Sequence, residues 1–426
     1  MRGNYERLPS GINNLTFGTV RAIGQDAMFK FIHTADIHLD SPLRGLMRFD
    51  GAPVAHIQSA TRDAFRNLVQ FAIDQSVAFV LIAGDLWDCD WPDSAPGLFF
   101  IRQATRLRKA SIRIFVVKGN HDAESKLTSS IRHWPENVTF LDHKKPQTIA
   151  LEKWNVAIHG QSYAQQQVTE DLSAGYPKPV RGAFNIGLLH TCLEDGSTDY
   201  APASVERLTQ RGYEYWALGH IHQRQNLSRD GVHVEFPGNL QGRSIREAGP
   251  KGCSLVTVGD DHSVTSEFEP LDTVRWEQIR VESDDTGLEG AVRKALQQAV
   301  ADADGRLIAV RLEVIGSVSG GQRLRDRMDA VAVEVGDVWL EKVLVKPSTN
   351  NGNSSGKVVL PVPLVSEIRE LIASLHADNA AVSQWMGEFA ELRGRFVGDL
   401  GVGDSVRFLS EQLAFRALVE KVGGQL

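Results

Sequence analysis

The feature that most constrains this chain is a recurrence. Five times, a short apolar, β-branched run ends and a residue able to bind a metal follows within a few positions. Residues 30–34 are followed by Asp36 and His38, residues 78–83 by Asp85, and residues 112–117 by Asn120 and His121. Residues 184–189 are followed by His190, and residues 215–218 by His220 and His222. Such runs read as strands, with a sixth over residues 156–159. Between them, the spacing of Ile57, Phe65, Leu68, Val69, Ala72 and Ile73 predicts a helix, as do residues 98–107 and 205–208. This alternation predicts an α/β architecture with helices covering sheet faces. If the strands share one sheet, the loops beyond their carboxyl ends emerge along one edge, where such folds place ligands.

The local words are D-x-H at 36–38, G-D at 84–85, G-N-H-D at 119–122, a single His at 190 and G-H-x-H at 219–222. Each alone is commonplace, and their combination after successive strands points to a metal site. Two divalent cations about 3.5–4 Å apart need a shared anionic ligand, and Asp85 is the natural bridge. Asp36, His38 and His222 complete one set of donors, and Asn120, His190 and His220 the other. Imidazole and oxygen donors without thiolate favour Mn²⁺, with Fe²⁺ or Zn²⁺ as alternatives. Two such cations supply an activated water and offset charge on a phosphate, so no protein nucleophile is required. His121 is placed to stabilise the transition state or to protonate the leaving oxygen. Asp122 either orients His121 or closes the turn, and Asp88 lies either behind the ligands or in solvent. Gly84, Gly119 and Gly219 precede ligands where an absent β-carbon permits close approach. His33, inside the first strand, reads as packed.

A chain of 426 residues exceeds one usual core and predicts several units. Residues 1–27 read as a weakly ordered extension lacking the apolar stretch of a secretory signal, and Met28 reads as an alternative start. Residues 28–273 form the catalytic unit, with antiparallel strands expected from 232 onward, and residues 274–346 a small α+β cap. The polar stretch 347–360 is a linker, and 361–426 a helical segment with apolar stripes. No apolar run is long enough to span a bilayer. Cys89, Cys192 and Cys253 form no C-x-x-C pair, which fits a reducing cytoplasm. The net charge of −7 excludes an all-over basic coat.

The words "FIHTADIHLDSPLRGL", "LIAGDLWD", "VVKGNHD", "LLHT", "ALGHIHQRQ", "EFPGNLQGRS" and "PLDTVRWEQIRVE" resemble the calcineurin-like metallophosphoesterase superfamily. Within it they resemble the SbcD-like DNA repair exonucleases of the YhaO-type bacterial group. The resemblance implies an α/β/β/α sandwich, with Asp36, His38, Asp85, Asn120, His190, His220 and His222 as metal ligands and His121 as catalytic histidine. It also implies DNA as substrate, 3′→5′ exonuclease and single-strand endonuclease activity, a homodimer, and an SbcC-type coiled-coil ATPase docking on the C-terminal helices. The first motif continues Leu39-Asp40-Ser41-Pro42 where better-known exonucleases carry Leu-Gly, which leaves strand polarity open. Arg44, Arg48, Arg224, Arg243 and Arg246 are candidate DNA phosphate contacts, with solvated surface arginines as the alternative. A phosphodiesterase for a small nucleotide or lipid headgroup, and a metal-stabilised scaffold, remain competing functions.

Overall fold

The computed structural model describes residues 29–41, 54–88, 94–123, 131, 133–193, 199–318 and 321–346. The expected extension, linker and C-terminal helices, together with Arg44, Arg48 and Cys89, lie outside the described residues. The elements run β1 (Phe29–Thr34), α1 (Val54–Asp74), β2 (Phe79–Ala83), α2 (Ala95–Lys109), β3 (Arg113–Val117), β4 (Val138–Phe140), β5 (Gln147–Leu151), β6 (Val156–Gly160) and β7 (Phe184–His190). They continue α3 (Val205–Gln210), β8 (Tyr215–Gly219), β9 (Gln225–Asn226), β10 (His233–Phe236), β11 (Gly252–Val258), β12 (Val264–Pro270), β13 (Val274–Glu282), α4 (Leu288–Asp302), β14 (Leu307–Ile315), α5 (Gln322–Val335) and β15 (Val338–Lys346).

The ligand-bearing strands do not share a sheet, which corrects the simplest expectation from the sequence. One six-stranded sheet has the order β12-β11-β1-β2-β3-β4 and the other β5-β6-β7-β8-β10-β9. Alternation along β1 explains the layering. Phe31 joins Phe79, Phe115, Ile186, Leu188 and Tyr215 in the core between the sheets. Its neighbour Ile32 faces the opposite way, with Ile82 and Val116, toward Phe65 and Leu68 of α1 and Phe100 of α2. The outer face of the second sheet packs Leu189, Trp216 and Leu218 against Leu208 of α3. The result is a mixed α/β sandwich with helices outside two packed sheets.

Two details escape the sequence. β4 and β5 expose part of nearly every side chain, so neither leaves a continuous apolar run to detect. β10 falls in the stretch expected to be antiparallel, yet it pairs with β8 in parallel. The loop carrying His220 and His222, with the two-residue β9, returns the chain to the starting end of β8. The strands β11 and β12 are antiparallel, as expected.

The strands β13, β14 and β15 form a separate parallel sheet. The helices α4 and α5 are its crossovers, and Leu296, Met328, Val310 and Leu340 share its core. Its near end, through Trp276, Ala309 and Trp339, packs on Ile57 and Ala60 of α1 and on Ile245. None of the described helices is long and apolar enough to cross a membrane.

Candidate metal centre

The five loops converge because the carboxyl ends of β1, β2 and β3 in one sheet meet those of β7 and β8 in the other. Asp36 and Asp85 receive N–H groups from distant loops. The His220 N–H donates to Asp36 Oδ2 at 2.9 Å, and the His121 N–H donates to Asp85 Oδ1 at 3.0 Å. The backbone is forced to achieve this. Asp36, His38, Asp85 and His220 all have positive φ, at 49°, 44°, 50° and 106°, a region side-chain-bearing residues avoid unless tertiary structure holds them there. Gly84 has φ 92°, and a β-carbon there would strike the His190 ring; one on Gly119 would strike Asp85 and His190.

The candidate ligand atoms face one another. His38 Nε2 lies 3.2 Å from His222 Nε2 and 3.7 Å from Asp85 Oδ2. His222 Nε2 lies 3.6 Å from Asp36 Oδ1, and His190 Nε2 lies 3.6 Å from Asp85 Oδ2. Asn120 Oδ1 is 3.0 Å from His190 Nε2, and the His190 and His220 rings meet edge to face at 5.2 Å. All seven candidates are therefore brought together. Among the described residues three groupings have ligand atoms close enough for an ion: Asp36 with His38 and His222, Asp36 with Asp85 and His190, and His38 with Asp88 and His121.

Electrostatics fits a cation. Asp36, Asp85 and Asp122 are almost completely buried, and Asp36 Oδ1 has no hydrogen-bond partner. Burial, with Asp85 adding and His222 opposing, pushes Asp36 up to about 7. Burial also pushes His38 down to about 4, and His190 and His220 down to about 3. These rings are neutral lone-pair donors at pH 7 and do not act as counter-ions. Against burial, His222, which faces Asp36, is instead held above the ordinary histidine value by Glu247 and Asp36. Asp85 faces the neutral rings of His38 and His190 and calls for positive charge from elsewhere.

Around this centre several sequence alternatives resolve. Asp122 closes the turn: it accepts from the N–H groups of Leu86, Trp87 and Gly119 at 3.1, 2.8 and 3.1 Å and has no bond to His121. Asp88 lies behind His38, 3.1 Å from its Nδ1, and accepts from Ser41 Oγ at 3.0 Å. His121 faces the Asp88 carbonyl through Nδ1 at 2.8 Å, with 39% of its side chain exposed at the rim. His33 is packed between the sheets, facing Leu218 O and Tyr215 Oη.

Two of the candidate phosphate-contacting arginines have internal partners. Arg224 pairs at 2.8 Å with Glu235, which is fully buried. Arg243 pairs at 3.0 Å with Asp88 and at 3.5 Å with Glu247. Both are paired with internal carboxylates while staying partly exposed. Arg246 is exposed. Sequence reasoning missed Glu247, whose Oε1 lies 2.7 Å from His222 Nδ1, and Lys251, whose Nζ donates to the His222 carbonyl at 2.9 Å. Only their nearness in sequence to the P-G-N turn hinted at either.

Residues 29–224 match the calcineurin-like phosphoesterase family, and residues 276–347 match the middle domain of the metallophosphoesterase YhaO. The metallophosphoesterase YhaO of Bacillus subtilis is 35% identical over 298 residues, covering 67% of this chain and 72% of that protein. The DNA double-strand break repair protein Mre11 of Sulfurisphaera tokodaii is 29% identical, covering 47% of this chain and 54% of that protein. The SbcD component of the nuclease SbcCD of Bacillus subtilis is 22% identical, covering 60% of this chain and 70% of that protein.

Proposed function

Since this chain belongs to the calcineurin-like metallophosphoesterases, hydrolases that use divalent metal ions, we propose that it is a manganese-dependent DNA nuclease. In this reading it acts as a 3′→5′ exonuclease and single-strand endonuclease in DNA repair. It works in the cytoplasm as a homodimer with an SbcC-type ATPase. The observation that carries the metal chemistry is the set of buried carboxylates and imidazoles turned toward one another, with Asp36 Oδ1 lacking any hydrogen bond. The DNA substrate rests on similarity to proteins named for double-strand break repair and for nuclease activity.

Asp36, His38 and His222 would hold one cation and Asn120, His190 and His220 the other, with Asp85 as the carboxylate available to both. When bound, the cations supply Lewis acidity and an activated water as nucleophile. The chain's own part follows from His121. Its Nδ1 faces a main-chain carbonyl, which can only accept, so Nδ1 carries the proton and Nε2 is the atom left to exchange one. From the rim, the ring takes up a proton from solvent at Nε2 and, as imidazolium, passes that proton to the leaving oxygen, returning to the neutral form with Nδ1 still protonated.

One observation favours the smaller-substrate reading. With Arg224 and Arg243 engaged internally, the DNA track depends on Arg246 and on Arg44 and Arg48. The test compares cleavage of labelled single- and double-stranded DNA with bis-p-nitrophenyl phosphate, in Mn²⁺ and in chelator. Chelator-sensitive DNA cleavage is expected. Turnover of the small diester with intact DNA would replace the nuclease reading by that of a small phosphodiesterase.

A further inference from the structure

The two imidazoles assigned to one cation are each backed by a carboxylate, and one guanidinium lies between those carboxylates. His38 Nδ1 is 3.1 Å from Asp88 Oδ1. This contact is bent, since His38 Nδ1 makes no well-directed hydrogen bond, so its pull is mainly electrostatic. His222 Nδ1 is 2.7 Å from Glu247 Oε1. Arg243 reaches Asp88 Oδ1 with Nη1 at 3.0 Å and Glu247 Oε1 with Nη2 at 3.5 Å.

Each carboxylate is also fixed from behind. Glu247 Oε2 accepts from the Arg243 N–H at 2.6 Å and from Asn239 Nδ2 at 3.0 Å. Asp88 Oδ2 accepts from Ser41 Oγ at 3.0 Å. His190, assigned to the other cation, is turned instead by a main-chain carbonyl, Ala83 O, at 2.9 Å from its Nδ1. The two sites are therefore held by different means.

We propose that Asp88, Arg243 and Glu247 form a charge clamp that orients His38 and His222, presenting Nε2 of both to a single cation. This rests on the two-cation reading above and assigns the three as positioning residues. A carboxylate facing Nδ1 favours the tautomer protonated there and leaves the Nε2 lone pair for the metal. The two Nε2 atoms lie 3.2 Å apart, so both address the one point at which a cation would sit between them. Asp88, His38 and His121 could themselves be mistaken for a third cation site. The guanidinium on the same Asp88 oxygen argues against an ion there, because positive charge already occupies it. Arg243 suits the role because its planar fork turns separate nitrogens to the two carboxylates in a fixed geometry, whereas a lysine offers one compact ammonium on a flexible stem.

The test is Mn²⁺ titration of the full-length protein by calorimetry and electron paramagnetic resonance, beside Glu247→Gln, Arg243→Ala and Arg243→Lys. The wild type is expected to take up two equivalents. Glu247→Gln and Arg243→Ala should weaken one of them by about 10–100-fold and leave the other near its wild-type affinity. Arg243→Lys should fall between. Two equivalents bound as tightly by the variants as by wild type would overturn the clamp and leave the site reading intact. Equal weakening of both sites, with loss of a cooperative melt, would overturn it in favour of a general structural role. A wild type that takes up no Mn²⁺ would overturn the site reading and the clamp together.

Discussion

His121 and Asp85 are neighbours in the site but differ in what their side chains face. Asp85 is buried, with its oxygens toward His38 and His190 and one of them accepting the His121 N–H. His121 has its ring at the rim and is tied only through Nδ1. On the proposed function, removing the first would take away the shared anion and removing the second a proton carrier. Asp85→Ala is expected to lose bound Mn²⁺ and hydrolysis together, measured by calorimetry and by diester turnover. His121→Ala should keep both cations while turnover falls by about 10²–10⁴. A His121 variant with near wild-type turnover would remove that side chain from the chemistry. The roles of Asp88 and Asp122 could not be separated in the sequence, since a carboxylate two or three positions from a ligand can point either way. Their hydrogen-bond partners lie 33 to 47 positions distant or across a turn.

Between elements, a buried polar network joins the two sheets, and it responds to acid. Glu235 on β10 accepts from Ser254 on β11 at 2.7 Å and from Ser266 on β12 at 2.6 Å, and it pairs with Arg224. His33 on β1 reaches Leu218 O of β8 at 3.0 Å, so its Nε2 donates and its Nδ1 accepts from the Tyr215 hydroxyl at 2.9 Å. Burial, partly offset by Glu235, pushes His33 down to about 4 from an ordinary 6.5. Against burial, bonds from His233 and Ser266 hold Glu235 down at about 2, from 4.5. In both cases the unfolded chain takes up the proton first as pH falls. Stability is therefore lost between about pH 6.5 and 4 through His33 and between about 4.5 and 2 through Glu235. Glu235→Gln is expected to cost on the order of 3 kcal/mol at pH 7, because Arg224 loses its buried counter-charge. It should also flatten the stability profile below about pH 4.5, measured by urea unfolding. An unchanged acid limb in that variant would mean that the network does not control it.

At the scale of the whole chain, every proposed ligand precedes residue 223, and the described unit ends its last strand at Lys346. The three-stranded parallel sheet packs on α1 through Trp276 and Trp339, so it is part of what supports the first ligand loop. A chain ending at Lys346 is expected to stay folded, bind Mn²⁺ and cleave short single strands. On the proposed function it should lose association with a co-expressed SbcC-type ATPase, read by size-exclusion chromatography. Aggregation of the shortened chain would place the C-terminal apolar stripes in this protein's own core. A shortened chain that still binds the ATPase would move the docking surface elsewhere.

The sequence by itself determined the strands and the order of the ligand loops, because a buried strand is a local apolar run and a ligand loop is the few residues after it. β1, β2, β3, β7 and β8 lie within one residue of where their composition puts them. It also determined the need for small residues before the ligands, as at Gly84 and Gly119. Only the tertiary structure decided that these strands divide between two sheets and that β10 runs parallel to β8. Pairing partners are chosen by which faces can be buried together, and no local pattern records that choice. The fate of the arginines was equally hidden. A charged side chain reads the same in sequence whether it awaits a phosphate or serves a carboxylate, and Arg224 and Arg243 were assigned only when the fold brought Glu235, Asp88 and Glu247 within reach.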